Sequence, residues 1–227
     1  VRGKCRSKEL NTVIKEIETL VSKGFKEIVL TGIHTGNYGV DLGTNFATLL
    51  KTLVKVKGLK RLRISSIEIR ELTAAVLEII KNNQVIVDHL HVPLQAGSDK
   101  ILKLMNRKYD LAFFEHKLEE IRAIRPNISI TTDIIVGFPG ENEDDFKETV
   151  ENAKKFNFSK IHVFPYSERL GTKAMELDGH LDSTVKKARA RELLLVSKEL
   201  ELCYAKKFLN QELEVLFEEV KDGLSIG

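Results

Sequence analysis

The stretch Ile128-Ser-Ile-Thr-Thr-Asp-Ile-Ile-Val-Gly-Phe-Pro-Gly140 is followed by Glu143-Asp-Asp-Phe-Lys-Glu-Thr-Val-Glu-Asn-Ala-Lys-Lys155 and then by Ser159-Lys-Ile-His-Val-Phe164. The first segment is apolar, β-branched and closed by Gly-Phe-Pro-Gly, which reads as a buried strand. The second carries Asp144 and Asp145 in its first turn, where a helix dipole favours acids. The third returns to strand character. Two strands joined by a helix of this length must run parallel, with a right-handed crossover.

The same cycle extends outward in both directions. Apolar spacing of three and four predicts helices over 9–22, 46–56, 72–82, 99–105 and 111–124. Between them, strands are predicted over 27–31, 60–65 and 87–92, in addition to 128–136 and 159–164. Five strand–helix repeats define either an open doubly wound sheet or a closed or partial (β/α) barrel. Beyond Gly171 a polar stretch leads into a long helix over 184–208. Residues 212–220 then alternate in strand fashion before Asp222-Gly223, a hairpin pair.

Composition narrows the class further. The 227 residues are 42% hydrophobic and 30% charged, which excludes disorder. No apolar run approaches the ~18 residues of a membrane span. Lys and Arg number 36 against 33 acids, a net charge of +3. That balance is compatible with nucleic acid without being diagnostic of it. Two cysteines, Cys5 and Cys203, exclude a disulfide scaffold and fit a reducing compartment. The chain begins at Val1, which is read as the start of a fragment.

Sites in parallel α/β folds form at the C-terminal ends of strands. Those ends are Thr31-Gly-Ile-His-Thr-Gly36, Ser65-Ser-Ile-Glu68, Pro93-Leu-Gln-Ala-Gly-Ser98, Asp133 through Glu141, and Phe164-Pro-Tyr-Ser167. All are small, polar or rich in Gly and Pro, so they predict a rim for a polar, moderately large ligand. Turns favour Gly, Pro and Ser on backbone grounds alone. Glu68, Gln95 and Asp133 together go beyond that preference, since acids near a barrel axis require partners. No phosphate loop, dinucleotide fingerprint, nucleophile elbow or zincin motif is present. His89 and His91 share one face of a strand and are read as packed or hydrogen-bonded rather than zinc-binding. His34, in the first rim loop, is the best functional histidine. Arg2, Lys4 and Arg6, with no acid among the first eight residues, are candidates for phosphate contact.

In combination these motifs strongly resemble the radical S-adenosylmethionine methylthiotransferases. The resemblance runs through Glu27-Ile-Val-Leu-Thr-Gly-Ile-His-Thr-Gly-Asn-Tyr-Gly39, Arg63-Ile-Ser-Ser-Ile-Glu68, His89-Leu-His-Val-Pro-Leu-Gln-Ala-Gly-Ser98, Ile130 through Glu141 and Lys160 through Ser167. Ile33-His-Thr-Gly36 and Ser65-Ser-Ile-Glu68 look like the branch that acts on N6-threonylcarbamoyladenosine in tRNA. The alternatives are the isopentenyladenosine branch, the branch modifying a ribosomal-protein aspartate, a cluster-less RNA-binding barrel, and a metal-free barrel lyase. The lyase would need a Schiff-base lysine that no strand end carries.

The resemblance implies a partial, open (β/α) TIM-like barrel that lacks its first strand and cluster loop. It implies a barrel over 1–180, a C-terminal helix over 181–210, and the start of a small β RNA-binding module of TRAM type over 211–227. It implies S-adenosylmethionine and two [4Fe–4S] clusters, and radical methylthiolation of C2 of the adenine. It further implies tRNA and a reductant such as flavodoxin or ferredoxin as partners, no membrane association, and a cytoplasmic location. Carried over residue by residue, Thr31, Gly32 and His34 belong to the loop at the amino group of the cofactor's methionine. Glu68 and Gln95 match strand-end contacts to methionine or ribose. Arg107 faces the methionine carboxylate as a bidentate partner. Asp133 matches an acceptor near the ribose hydroxyls, and Val163 and Phe164 the backbone beside the adenine. For Gly137, Pro139 and Gly140 a turn-shaping role stands level with a functional one.

The departures are equally specific. The family's cluster needs C-x-x-x-C-x-x-C, and Cys5 and Cys203 cannot supply it. Ile69, Leu170 and Lys173 stand where proline is the family pattern. These residues are therefore expected to form a cofactor shell without its metal, and the chain by itself to be catalytically silent.

Overall fold

The computed structural model describes residues 6–226. Five short strands, β1 (Glu27–Leu30), β2 (Arg61–Ile64), β3 (His89–His91), β4 (Ser129–Val136) and β5 (Lys160–Pro165), alternate with helices. The helices are α1 (Leu10–Ser22), α2 (Phe46–Leu53), α3 (Ala74–Asn82), α4 (Asp99–Leu104), α5 (Leu111–Ile124), α6 (Glu143–Lys155) and α7 (Ser183–Lys206).

β1 pairs with β2 in parallel, and β3, β4 and β5 pair in parallel in that order. Bridges between Leu62 and Ile86 and between Ser66 and His91 join the two groups. The result is one open, all-parallel array in the spatial order 1-2-3-4-5, and all five strand C-termini share one rim. The spacing leaves an open sheet or a closed or partial barrel; the parallel array is open, as the resemblance implies, and no closed barrel forms among the described residues.

Strand alternation divides the array into two faces. Leu62, Ile64, Leu90, Ile130, Ile134 and Val136 face the helices and are buried. Leu50, Leu53, Ile80, Phe114, Leu118 and Phe146 cover them from the helix side. Helix starts are set by capping. Asn45 accepts from Thr48 N–H at 2.9 Å. Asp110 accepts from Phe113 N–H at 2.8 Å. Asn142 forms a capping box with Asp145. α7 closes the β5 side. Its buried Ser197 hydroxyl accepts from Ile161 N–H at 3.0 Å and donates to Ile161 C=O at 3.2 Å. That satisfies backbone which an edge strand would leave open.

The opposite, concave face is polar. Glu27 accepts from Arg61 Nε at 2.6 Å and from Arg63 Nε at 2.5 Å, so one carboxylate bridges two residues of the neighbouring strand. Burial alone would raise the Glu27 pKa. The hydrogen bonds and charges of Arg63 and Arg61 outweigh it and hold the carboxyl below its ordinary value.

The helix and strand positions follow the hydrophobic pattern closely, with trimmed ends. The long terminal helix runs Ser183–Lys206, and the 171–183 stretch contains a turn of 3-10 helix at Lys173–Glu176. The C-terminal segment departs from expectation. Only β6 (Glu219–Lys221) and β7 (Leu224–Ile226) form an antiparallel hairpin, extended by Glu218 N–H donating to Ile226 C=O at 2.8 Å, and residues 212–217 lie outside it. Alternation without a partner strand does not make a strand. The turn itself is as predicted, with Asp222 at φ 51° and Gly223 at φ 78°. This is the left-handed pair that a tight hairpin needs.

Glu27 yields a prediction. Because its folded pKa lies below the unfolded one, its stabilisation is complete above the ordinary carboxyl range. It is lost as pH falls through the lower folded value. Glu27→Gln is expected to cost about 2 kcal/mol in urea unfolding at pH 7. The cost should shrink markedly at pH 3. An equal cost at both pH values would refute the pairing as its source.

Candidate cofactor-binding rim

The β1 loop turns sharply after Thr31 and Gly32, both exposed, and brings His34 to the rim. It is fastened from below by Glu71. The Glu71 Oε2 accepts from Gly36 N–H at 3.2 Å and Glu68 N–H at 3.0 Å. A Cβ at residue 36 would collide with the Glu71 side chain, so this approach requires glycine. Thr35 and Ser65 hydroxyls meet at 3.2 Å and tie the first two loops together.

Glu71 has a second oxygen with no such use. Its side chain is 8% exposed, and Oε1 is buried with no hydrogen-bond partner among the described residues. His34 Nδ1 stands 3.9 Å from it, and Glu68 offers a carboxylate oxygen to the same cluster. Burial raises the Glu71 pKa, with the Glu68 charge adding to it and the backbone donors opposing it. Two carboxylates around one gap form a place for a positive group such as an ammonium.

The β3 loop supplies Gln95 and Arg107. Gln95 sits at φ 73° yet stays stitched to β4, its N–H bonded to Asp133 C=O at 2.8 Å and its C=O accepting from Ile135 N–H at 2.9 Å. Arg107 follows α4, and its Nε is buried without a partner among the described residues. Tyr109 feels the charges of Arg107 and Glu68 in opposite senses. It is buried, its hydroxyl donates to Leu94 C=O at 3.0 Å, and burial pushes its pKa up to about 12. It is thus a neutral wall beside the guanidinium.

Asp133 stands on the concave face of β4, and His91 Nε2 is 3.3 Å from its Oδ2. Its neighbour in register on β5 is His162, and Phe164, two residues on, is half exposed on the same face. Val163 pairs with buried Ile134 and turns its side chain toward the helix layer. On the concave face it therefore presents only backbone. His89 and His91 are hydrogen-bonded through Thr131, at 3.3 and 2.8 Å, which agrees with the reading from the sequence. Burial, aided by the positive charge of Arg63, lowers the His89 pKa to about 4.

Arg6 and Ser7 line a cavity of about 910 Å³ that runs along β1 and takes in Thr31, Gly32, His34 and Thr35. Arg2 and Lys4 lie outside the described residues. Glu71, Tyr109 and Thr131 belong to the rim's machinery, yet nothing in the sequence reading singles them out. The one available signal for Glu71 is its place three residues after Glu68, the spacing of a capping box.

The residues present suit one kind of ligand. Glu71 offers an unpartnered carboxylate oxygen and Arg107 an unpartnered guanidinium Nε, counted among the described residues. With the Oδ1 of Asp133 they match an amino-acid head joined to a nucleoside, as in S-adenosylmethionine. They do not suit an iron–sulfur cluster. Cys203 is exposed on α7 and Cys5 lies outside the described residues. Two cysteines in 227 residues cannot supply three thiolates.

An open parallel sheet whose strand C-termini share one polar rim defines a class, the partial-barrel α/β folds. The Radical SAM superfamily matches residues 1–153, and the chain belongs to it. The chain is 46% identical over 220 residues to the threonylcarbamoyladenosine tRNA methylthiotransferase MtaB of Bacillus subtilis, covering 96% of this chain and 49% of that protein. It is 42% identical to the Thermotoga maritima protein of the same name, over 94% of this chain and 49% of the relative. It is 41% identical to the tRNA-2-methylthio-N(6)-dimethylallyladenosine synthase of Thermodesulfovibrio yellowstonii, over 100% of this chain and 52% of that protein. The chain thus spans about half the length of these relatives. Among solved structures, Escherichia coli coproporphyrinogen III oxidase (HemN) superposes with a TM-score of 0.61 at 18% identity, covering 84% of this chain and 46% of that one. That likeness is one of fold.

His89 gives this site its own test. Its folded pKa of about 4 lies below the ordinary value of 6.5. Its contribution to stability is therefore full above the ordinary value and falls as pH drops toward the folded one. In an NMR titration its ring signals should stay those of neutral imidazole at pH 5. A midpoint near 6.5 would contradict its buried place beside Arg63.

Proposed function

We propose that this chain is the cofactor-binding part of a tRNA methylthiotransferase that adds a methylthio group to C2 of N6-threonylcarbamoyladenosine. The observation that carries the reading is a coincidence in one place. Similarity at 46% identity to a protein of that name extends over 96% of the chain, and the rim within it has the charges an amino-acid nucleoside needs.

In this reading His34, Glu68 and Glu71 receive the cofactor's ammonium, with Thr31 and Gly32 forming the approach. Arg107 pairs with its carboxylate. Asp133 accepts from the ribose hydroxyls, Gln95 borders the same sugar, and the Val163–Phe164 backbone flanks the adenine. When bound with its clusters, S-adenosylmethionine supplies the radical that removes hydrogen from the substrate carbon. The chain's residues hold it in place and keep water away. Two clusters, a flavodoxin- or ferredoxin-like reductant and a cytoplasmic setting complete the proposal. No helix among the described residues is long and apolar enough to cross a membrane.

We infer the same division of the chain as the sequence suggests, with the rim domain over 1–180, the helix over 181–210, and the beginning of an RNA-binding β module over 211–227. Arg6, which lines the cavity along β1, is a phosphate contact in this scheme, together with Arg2 and Lys4.

Two measurements test these statements. Nucleoside mass spectrometry of tRNA from a deletion strain should show loss of the methylthio group from threonylcarbamoyladenosine only. Loss from isopentenyladenosine instead would move the chain to the other branch. Separately, the 227-residue chain incubated with iron and sulfide should assemble no [4Fe–4S] cluster and cleave no S-adenosylmethionine. Cleavage would overturn its predicted silence.

A further inference from the structure

A line of polar side chains crosses the concave face at mid-sheet and ends on Asp133. His91 Nε2 lies 3.3 Å from Asp133 Oδ2, within ion-pair distance. On its other side, His91 Nδ1 is 2.8 Å from the Thr131 hydroxyl, and Thr131 is in turn 3.3 Å from His89 Nε2. The ring of His162 packs against His91 at 5.6 Å between centroids.

The donors in this line can be ordered. A carboxylate only accepts, so His91 presents its N–H at Nε2 and its lone pair at Nδ1. The Thr131 hydroxyl then donates to His91 and accepts from His89 Nε2–H. His89 Nδ1 is left as a lone pair, buried and unpartnered among the described residues. With a neutral imidazole the line has one direction, running from His89 through Thr131 to His91, and its last step to Asp133 is a 3.3 Å approach rather than a formed hydrogen bond. The backbone adds to this fixation. Thr131 and Asp133 lie two residues apart on β4, with Thr131 in register with His91, and Asp133 C=O accepts from Gln95 N–H. Asp133 Oδ1 has no partner among the described residues.

We propose that His91 is a positioning residue for Asp133: it engages Oδ2 and aims Oδ1 at the hydroxyls of the cofactor's ribose. The inference rests on the proposed reading of Asp133 as the ribose acceptor and adds what orients it. A lone aspartate on a strand has several rotamers, and one held on its far oxygen has lost most of them before the ligand arrives. The 3.3 Å separation between His91 and Asp133 is expected to tighten once the ribose is in place.

The test uses the full-length protein with its clusters reconstituted. Binding of S-adenosylhomocysteine and of its 2′,3′-dideoxyribose counterpart is measured by calorimetry for wild type, His91→Phe, His91→Gln, Thr131→Val and Asp133→Asn. Wild type should prefer the hydroxylated ligand by about tenfold, the factor one well-made hydrogen bond supplies. Asp133→Asn, whose amide oxygen still accepts but without the carboxylate's charge, should lose part of that preference. His91→Phe should lose most of it while binding the dideoxy ligand as wild type does. His91→Gln, whose amide can still donate to Oδ2, should regain it. Thr131→Val, which keeps the imidazole and releases only its tautomer, should fall between.

Equal weakening of both ligands in His91→Phe would mark a merely structural histidine and overturn the proposal. So would an unchanged preference in both His91→Phe and Thr131→Val. An absence of preference in wild type would instead remove the ribose reading of Asp133 itself, and the proposal with it.

Discussion

Parallel pairing on both sides of β4 is the constraint on which the rest depends. Ser129, Ile130 and Thr131 lie in register with β3, and Thr131 to Val136 with β5. Because all five strands run the same way, every loop that leaves a strand C-terminus emerges at one rim. Because side chains alternate, the same strands give their apolar half to the helices and their polar half to the concave face. Glu68, Gln95, Asp133 and Phe164 are brought to one rim by this geometry although they are far apart in the chain. Glu27 contributes from the other end of the sheet, where its bridge to Arg61 and Arg63 ties β1 to β2 by side chains as well as backbone.

Much of this is legible in the sequence for a physical reason. Strand period, helix period and Gly/Pro punctuation are local signals, and this chain states them clearly. Asp144 and Asp145 mark a helix start, and the predicted span Glu143–Lys155 is the observed one. Asp222-Gly223 demands a hairpin, and a hairpin is there. The segment at 212–217 reads wrongly as strand because alternation reports only which residues would share a face. It says nothing of whether a partner strand exists.

The rim is half legible. Residues at strand ends announce themselves by position, so Glu68, Gln95 and Asp133 can be picked out. What holds them cannot. Glu71 fastens the His34 loop across a span of 35 residues, and Thr131 links two histidines that lie 40 and 42 residues away in sequence. Such contacts depend on register between strands, and register has no local signature. Tyr109 escapes notice for a similar reason. Beyond α4, it folds back so that its hydroxyl reaches Leu94 C=O, and its neutrality beside Arg107 is a product of burial.

The central claim is that the five strand ends form one seat for an amino-acid nucleoside. The most direct measurement is a crystal structure of the full-length protein with S-adenosylhomocysteine bound. The amino group is predicted to lie between Glu68 and Glu71, the carboxylate on Arg107 and a ribose hydroxyl on Asp133 Oδ1. A ligand seated elsewhere, with Arg107 Nε and Glu71 Oε1 still unpartnered, would contradict it.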